Sequence, residues 1–535
     1  MITAARMAEV DRNAAAVGVP RAKLMESSGN AVARAVRERV DSGATVTMVC
    51  GRGNNGGDAF AAARFLSAYD VRVLLLGRPS AIRTEIARDN WDTLQETTVE
   101  TTVVRDSRSL AVADGDPDLV VDAILGTGVS GAPREPAATA VRGINGVGAP
   151  VVSVDVPSGI DADTGRVTGD NSDDQAVDSE LEPTADSESA VDSEPTADSE
   201  PTVDSELERA IDADPGRAVD ADVVVTFHDT KPGLVALADA GAFELTVADI
   251  GIPAAAEQFV GPGDLQPLSR QRDSHKGDHG EVLVVGGGPY TGAPALAARA
   301  ALRAGADLVR VAVPETVARE LQGFDESLIV RELSGSRLAP EHTNRLHALA
   351  AAHDTVVLGP GIGDADETVA AVETFLADYD GTAVVDAEAL SVVPGLDTAT
   401  TLVCTPHRGE FAAMGGNPDG GWEERAEAVT TFAAETDASV TVLLKGPTDV
   451  ISDGETTRVA RTGNPAMTVG GTGDVLAGVT GALVAVVSPV RAAAVGAWAN
   501  GRAGDAAYET NGNGLTATDL LAALPDALRD EGVDA

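Results

Sequence analysis

Short runs of β-branched and aliphatic residues recur along this chain between longer helical stretches, and that alternation restricts the fold more than any other feature. Residues 45–50, 71–76, 119–124 and 150–155 are nearly continuous in Val, Ile and Leu, as a strand covered on both faces requires. Helical patterns lie between them, at 57–68 and 82–94. A parallel α/β sheet with right-handed crossovers is the expected result. The pattern starts again after Gly261-Pro-Gly-Asp-Leu-Gln-Pro267, with strands expected at 281–285, 308–313, 355–358, 383–386 and 441–444. A chain of 535 residues exceeds one ordinary core of about 100–250 residues. Two α/β domains in tandem are therefore expected, at residues 1–260 and 270–535.

Charge narrows the partners. The chain carries 84 Asp+Glu against 39 Lys+Arg, a net −45, and a surface this acidic repels phosphates, so nucleic acid is not an expected partner. The tract at 170–208 holds 15 acids and no base, which leaves −30 on the other 496 residues. Acidity thus belongs to the whole surface. Such charge repels itself in dilute buffer, whereas molar salt shortens the screening length to about 3 Å. A halophilic protein of a salt-loaded cytoplasm is expected. Two cysteines, Cys50 and Cys404, make neither a disulfide framework nor a zinc pattern, which suits a reducing compartment.

The segment from Met1 to Asp11 alternates charge with small residues and lacks the apolar core of a signal peptide. The longest uncharged apolar stretch, 475–490, is interrupted by Gly and Thr. It falls short of the ~18–20 residues of a spanning helix, so a buried helix is expected and no membrane partner. In the acidic tract, Pro-Thr-Ala/Val-Asp-Ser-Glu units begin at Pro195 and Pro201. They have little to bury, so disorder is expected there. Strand-like sequence resumes at Ala221-Asp-Val-Val-Val-Thr-Phe227, which makes the tract, at about 170–210, an insertion within the first domain.

Polar groups gather at the ends of the expected strands. Gly51-Arg-Gly-Asn-Asn-Gly-Gly-Asp58 opens a helix after the first strand; Asp122 precedes Gly126-Thr-Gly-Val-Ser-Gly131; Asp155 precedes Pro157-Ser-Gly159. Glycines at a helix start admit a phosphate to backbone N–H groups, and the carboxyl ends of parallel strands converge on one crevice. The Asn55 carbonyl, Asp122 carboxylate and Ser158 hydroxyl form an all-oxygen set suited to a hard cation. Capping of following helices is the plainer role for either Asp, but not for the ensemble.

In the second half, Asn464-Pro-Ala-Met-Thr-Val-Gly-Gly-Thr-Gly-Asp474 leads into an apolar helical pattern. Glycines there make an anion hole, and Asp474 is placed to accept a hydroxyl proton as that oxygen attacks phosphorus. Further motifs are Lys276-Gly-Asp-His-Gly280, Gly286-Gly-Gly-Pro-Tyr-Thr-Gly-Ala293, Gly359-Pro-Gly-Ile-Gly363, Thr405-Pro-His-Arg-Gly-Glu410 and Lys445-Gly-Pro-Thr-Asp449. His275 and His279 flank Gly277 without further ligands and read as a solvated turn. The chain has four lysines, and Lys231, Lys276 and Lys445 fall inside motifs while Lys23 does not; a need for a compact ammonium explains this.

The first set of motifs, with Thr226-Phe-His-Asp-Thr-Lys-Pro-Gly-Leu234, resembles the YjeF-type NAD(P)H-hydrate epimerases over about residues 1–255. The second resembles the ADP-dependent NAD(P)H-hydrate dehydratases over about 270–530. The resemblance implies a Rossmann-like parallel-sheet domain followed by a ribokinase-like α/β domain. It implies a bifunctional isomerase and lyase that repairs hydrated NADH and NADPH: epimerisation of the R and S forms at C6, then dehydration of the S form through phosphorylation of its C6 hydroxyl.

By the resemblance, Asn54, Asn55, Gly56, Gly57 and Asp58, residues 126–132 (Gly126, Thr127, Gly128, Val129, Ser130, Gly131, Ala132) and Asp155 hold the hydrated dinucleotide. Asn55, Asp122 and Ser158 bind K⁺, and Asp122 serves as acid/base. Ala293, Gly361, His407 and Asp474 contact the substrate in the second domain. Lys445, Gly446, Pro447, Thr448, Asp449 and Gly473 contact the nucleotide, with Mg²⁺, and ADP as co-substrate on the resemblance alone. Departures are Ala59 where Gly is usual, Arg78 where relatives can carry Lys, and Asp449 where relatives have Thr. Small-molecule partners and a homo-oligomer are expected. A vitamin-precursor kinase sharing the Gly-x-Gly-Asp turn, and a noncatalytic first domain, are the alternatives.

Overall fold

The structure, a computed structural model, describes residues 1–128, 131–169, 216–268, 270 and 272–529. The expected insertion at about 170–210, and Val129 and Ser130, lie outside these residues. The chain divides into two compact units, Met1–Pro253 and Ala254–Gly532. The division precedes the Gly/Pro stretch read as a boundary. Pro262–Leu268 forms a 3-10 helix of the second unit instead, because the buried Asp264 carboxylate pairs with Arg458 at 2.8 Å and Val260 N–H donates to the Val459 carbonyl.

Among the described residues unit one carries seven strands: β1 Thr45–Cys50, β2 Asp70–Leu76, β3 Glu100–Val104, β4 Leu119–Ala123, β5 Val151–Val154, β6 Val223–Phe227 and β7 Glu244–Ala248. Every pairing is parallel, in the order β3-β2-β1-β4-β5-β6-β7. The five inner strands are the ones expected. The outer two, β3 and β7, are missing from the reading because each is half exposed, so neither needs a continuous apolar run.

Unit two carries β8 Glu281–Val285, β9 Leu308–Pro314, β10 Ile329–Leu333, β11 Thr355–Leu358, β12 Thr382–Val385, β13 Thr401–Cys404, β14 Val440–Leu444, β15 Asp449–Ser452 and β16 Thr457–Ala460. Their order is β10-β9-β8-β11-β12-β13-β14-β15-β16, parallel from β10 to β14 and antiparallel beyond. The hairpin β15–β16 is an unexpected addition.

Both sheets reverse their strand order once, between β1 and β4 in unit one and between β8 and β11 in unit two. A crevice opens at such a point, outside the carboxyl ends of the strands. Behind β1, helix Asn54–Phe65 buries small residues, among them Gly56, Gly57 and Ala59. A side chain on Gly56 would stand 2.2 Å from the Gly51 carbonyl oxygen, so only glycine lets the helix start this close to the strand. In unit two, helix Thr472–Val484 is buried along 475–483 and stops short of the expected 490, since Pro489 opens the next helix, Pro489–Asn511. Among the described residues no helix is long and apolar enough to cross a membrane.

Candidate functional sites

In unit one the loops after β1 and β4 border a cavity of about 870 Å³, lined among others by Asn54, Asn55, Asp58, Gly126, Thr127, Gly128, Ala132 and Asp155. These expected substrate residues therefore share one space. Gly126 lies between two of them: a Cβ there would be 3.4 Å from Asn55 Cβ and 3.6 Å from Asp155 Oδ2. Asn54 is exposed and accepts a hydrogen bond from the Thr84 hydroxyl at 2.6 Å. Asp58 is buried and bonded by the Ser28 hydroxyl; burial pushes its carboxyl well above the usual range, against the pull of that bond. Gly57 packs on Met25 rather than the cavity.

Asp122, expected to exchange protons with substrate, is not among the described residues that line this cavity. Its side chain is fully buried behind the loops. Ser153 Oγ and Ser158 N–H donate to Oδ2 at 2.9 and 2.8 Å, and Ser158 Oγ and Ile124 N–H to Oδ1 at 2.6 and 3.3 Å. Burial raises its pKa while the four donors pull it down. Asp122 ties the ends of β4 and β5 together.

Of the expected cation ligands, Ser158 bonds Asp122 directly, and Asn55 is linked to Ser158 through the Leu125 backbone. Asn55 Nδ2 donates to the Leu125 carbonyl at 2.8 Å, and Leu125 N–H donates to Ser158 Oγ at 2.9 Å. Asn55 Oδ1, by contrast, is buried with no hydrogen-bond partner among the described residues. An unpaired amide oxygen is a donor type that suits a hard cation.

Asp155 has φ +65°, a rare conformation for a residue with a side chain. Its carboxylate lies 3.4 Å from the ammonium of Lys231, which is wholly buried and donates to Thr226 Oγ1 and the Phe227 carbonyl at 2.7 and 2.8 Å. Lys231 thus holds Asp155 at the cavity edge. Asp11, on helix Ala4–Ala16, also lines this cavity and was not singled out in the sequence, where it reads as one acid in a charge-alternating segment.

In unit two the chemistry gathers round Lys445. Its Nζ donates to Asp386 Oδ1 at 3.0 Å and lies 3.9 Å from Glu410 Oε2. A Cβ on Gly473 would be 3.4 Å away from the same Nζ. Burial would lower the Lys445 pKa, but Asp386, Glu410 and Asp474 outweigh it and raise it. Burial, reinforced by Asp386, pushes Asp474 up to about 7. Asp386 is fixed further by the Thr405 hydroxyl at 2.8 Å. It was read only as the end of a strand; a carboxylate at a parallel strand's carboxyl end is the signal that could have found it.

Gly471, at φ +96°, turns the chain into helix Thr472–Val484, leaving the first N–H groups of that helix free to meet an anion. Ala293 and Gly361 adjoin each other, with 3.1 Å between Ala293 Cβ and a Cβ on Gly361. His407 caps helix Arg408–Ala413: its Nδ1 accepts from Glu410 N–H at 3.0 Å, and its exposed ring stays reachable. Gly446, Pro447 and Thr448 form the turn between β14 and β15. Asp449 folds back on that turn, accepting from Gly446 N–H at 2.8 Å, and burial pushes it up to about 7. Lys276 stands exposed on a turn that Asp307 closes and joins no site. Among the described residues no cluster of three acidic, His or Cys side chains is placed to hold a metal ion.

Residues 21–181 match the family model of the YjeF-related protein N-terminus, and residues 282–526 that of NAD(P)H-hydrate dehydratase. A bifunctional NAD(P)H-hydrate repair enzyme of Pyrobaculum aerophilum is 41% identical over 99% of this chain and 98% of its own. The chain belongs to the bifunctional NAD(P)H-hydrate repair enzymes. A second member, from Methanothermobacter thermautotrophicus, is 40% identical over 98% of this chain and 94% of its own. Among solved structures, the ADP/ATP-dependent NAD(P)H-hydrate dehydratase of Bacillus subtilis matches 50% of this chain and 97% of its own at 24% identity, TM-score 0.44. The two family models correspond in order to the two sets of motifs.

Proposed function

We propose that this chain repairs hydrated NADH and NADPH, unit one interconverting the R and S forms at C6 and unit two dehydrating the S form at the expense of a nucleotide, ADP. The observation that carries the second reaction is the half-buried Asp474 carboxylate at a glycine-lined helix start, within electrostatic reach of the Lys445 ammonium, which itself lies 3.4 Å from where a Cβ on Gly473 would stand. Asp474 takes the C6 hydroxyl proton as that oxygen bonds to the terminal phosphorus, while the bridging P–O bond breaks towards the nucleotide. Ring nitrogen N1 then expels the phosphate from C6, and loss of a C5 proton restores the dihydronicotinamide. Lys445 and the N–H groups near Gly471 and Gly473 offset the charge that grows on phosphorus oxygens.

Lys445 to Asp449 and Gly473 border the nucleotide; Ala293, Gly361 and His407 border the substrate. Mg²⁺ bound with the nucleotide would supply charge compensation. In unit one, Asn55, Asp122 and Ser158 would hold K⁺, which supplies a fixed positive charge beside the buried carboxylate. The residues 54–58, 126–132 and Asp155 bind the dinucleotide. The same reading has the protein working as a homo-oligomer in a salt-rich cytoplasm. Incubation of the full chain with hydrated NADH and ADP tests it: near-ultraviolet absorbance returns for both epimers if the reading holds. A stable phosphorylated product without that absorbance overturns it.

A further inference from the structure

We propose that Asp11 is the catalytic acid–base of unit one, exchanging a proton with the C6 hydroxyl as the epimers interconvert. This rests on the function proposed above. Three carboxylates, Asp11, Asp58 and Asp155, line the cavity of about 870 Å³, and two of them are engaged. Asp58 accepts from the Ser28 hydroxyl, and Asp155 faces the Lys231 ammonium at 3.4 Å with Thr226 Oγ1 at 3.5 Å. Among the described residues no hydrogen-bond donor occupies Asp11. Its helix, Ala4–Ala16, is anchored by the buried side chains of Met7, Val10 and Ala14, so the carboxyl is held on a rigid element.

The charged groups facing it are Arg21, Asp155, His228 and Lys231, with Asp58 across the cavity. Burial pushes its pKa up to about 6 against the pull of Arg21. Both protonation states are then populated near neutrality, as an acid–base group requires. Asp122, which is not among the residues lining the cavity, keeps its bonds to Ser153 and Ser158 and its place in the proposed K⁺ site.

The step balances as follows. Protonated Asp11 gives its proton to the C6 hydroxyl; the C6–O bond breaks, its electron pair leaving with the oxygen as water, and the N1 lone pair forms N1=C6. Water adds to the opposite face, the C6–O bond forms again, and the N1=C6 pair returns to N1. The surplus proton passes to solvent, from which Asp11 is reprotonated.

The test uses the full chain, excess ADP and hydrated NADH, following absorbance after the S form is exhausted, so that the slow phase reports consumption of the R form. D11N should slow that phase by about 100-fold or more and leave S-form dehydration and the melting temperature unchanged. The wild-type profile should bend near pH 6, and D11E should keep part of the rate with the bend displaced. D11N within threefold of wild type, or D11E with an unmoved bend, overturns the inference. A wild-type chain that leaves the R form at its spontaneous rate overturns instead the reading on which the inference rests.

Discussion

Both units set carboxylates at the carboxyl ends of parallel strands beside a strand-order reversal, yet the two best-marked acids have opposite surroundings. Asp122 has four donors on its two oxygens and is sealed from the cavity. Asp474 stands partly open at a helix start, beside an ammonium and the Asp386 carboxylate. Position in the fold is therefore a poor guide to an acid's work. A carboxylate saturated by fixed donors is a joint, and one left with an unfilled coordination and a displaced pKa can move a proton.

Substitutions sharpen that contrast. The largest effect is expected for Asp474→Asn, a fall of about 1,000-fold or more in nucleotide-dependent dehydration, with R/S interconversion intact when followed by chromatography. Lys445→Met removes the charge that binds Asp386, Glu410 and the Gly473 turn into one cluster. Dehydration should drop by about 100-fold, and Lys445→Arg, a planar fork where a compact charge is needed, should recover only part. Asp122→Ala should act on stability instead, because each buried donor left unpaired costs about 1–3 kcal/mol. Unit one should melt earlier by several degrees and lose any response to K⁺, whereas dehydration by unit two continues. A dehydration defect in Asp122→Ala would break the comparison. The smallest effect is that of salt on the whole chain: with a net −45, raising KCl from dilute to molar should raise the melting temperature by a few degrees, and an unchanged or lower value would remove the charge argument.

How far the sequence carried these conclusions follows from burial. Most inner strands were legible because strands covered on both faces must be apolar throughout. The half-exposed strands β3, β7 and β10 were not, and neither were the inner strands β13 and β15. Motif glycines marked the loops, since a helix start that leaves no room for a Cβ, as at Gly56, where one would stand 2.2 Å from the Gly51 carbonyl oxygen, leaves a compositional trace. Asp11 and Asp386 left none: one lies on a helix remote in sequence from every motif, the other ends an ordinary strand, and only the fold brings them to a cavity or an ammonium.

The rate of S-form dehydration measured against pH tests the central claim, that Asp474 takes the hydroxyl proton, most directly. Burial sets its pKa at about 7, and a base works only when ionised, so below that value protonation removes the active form. The rate should climb about tenfold per pH unit up to about 7 and level off above it, with the climb absent in Asp474→Asn. A rate that is flat from pH 5 to 9, or a climb that survives in Asp474→Asn, would contradict the account.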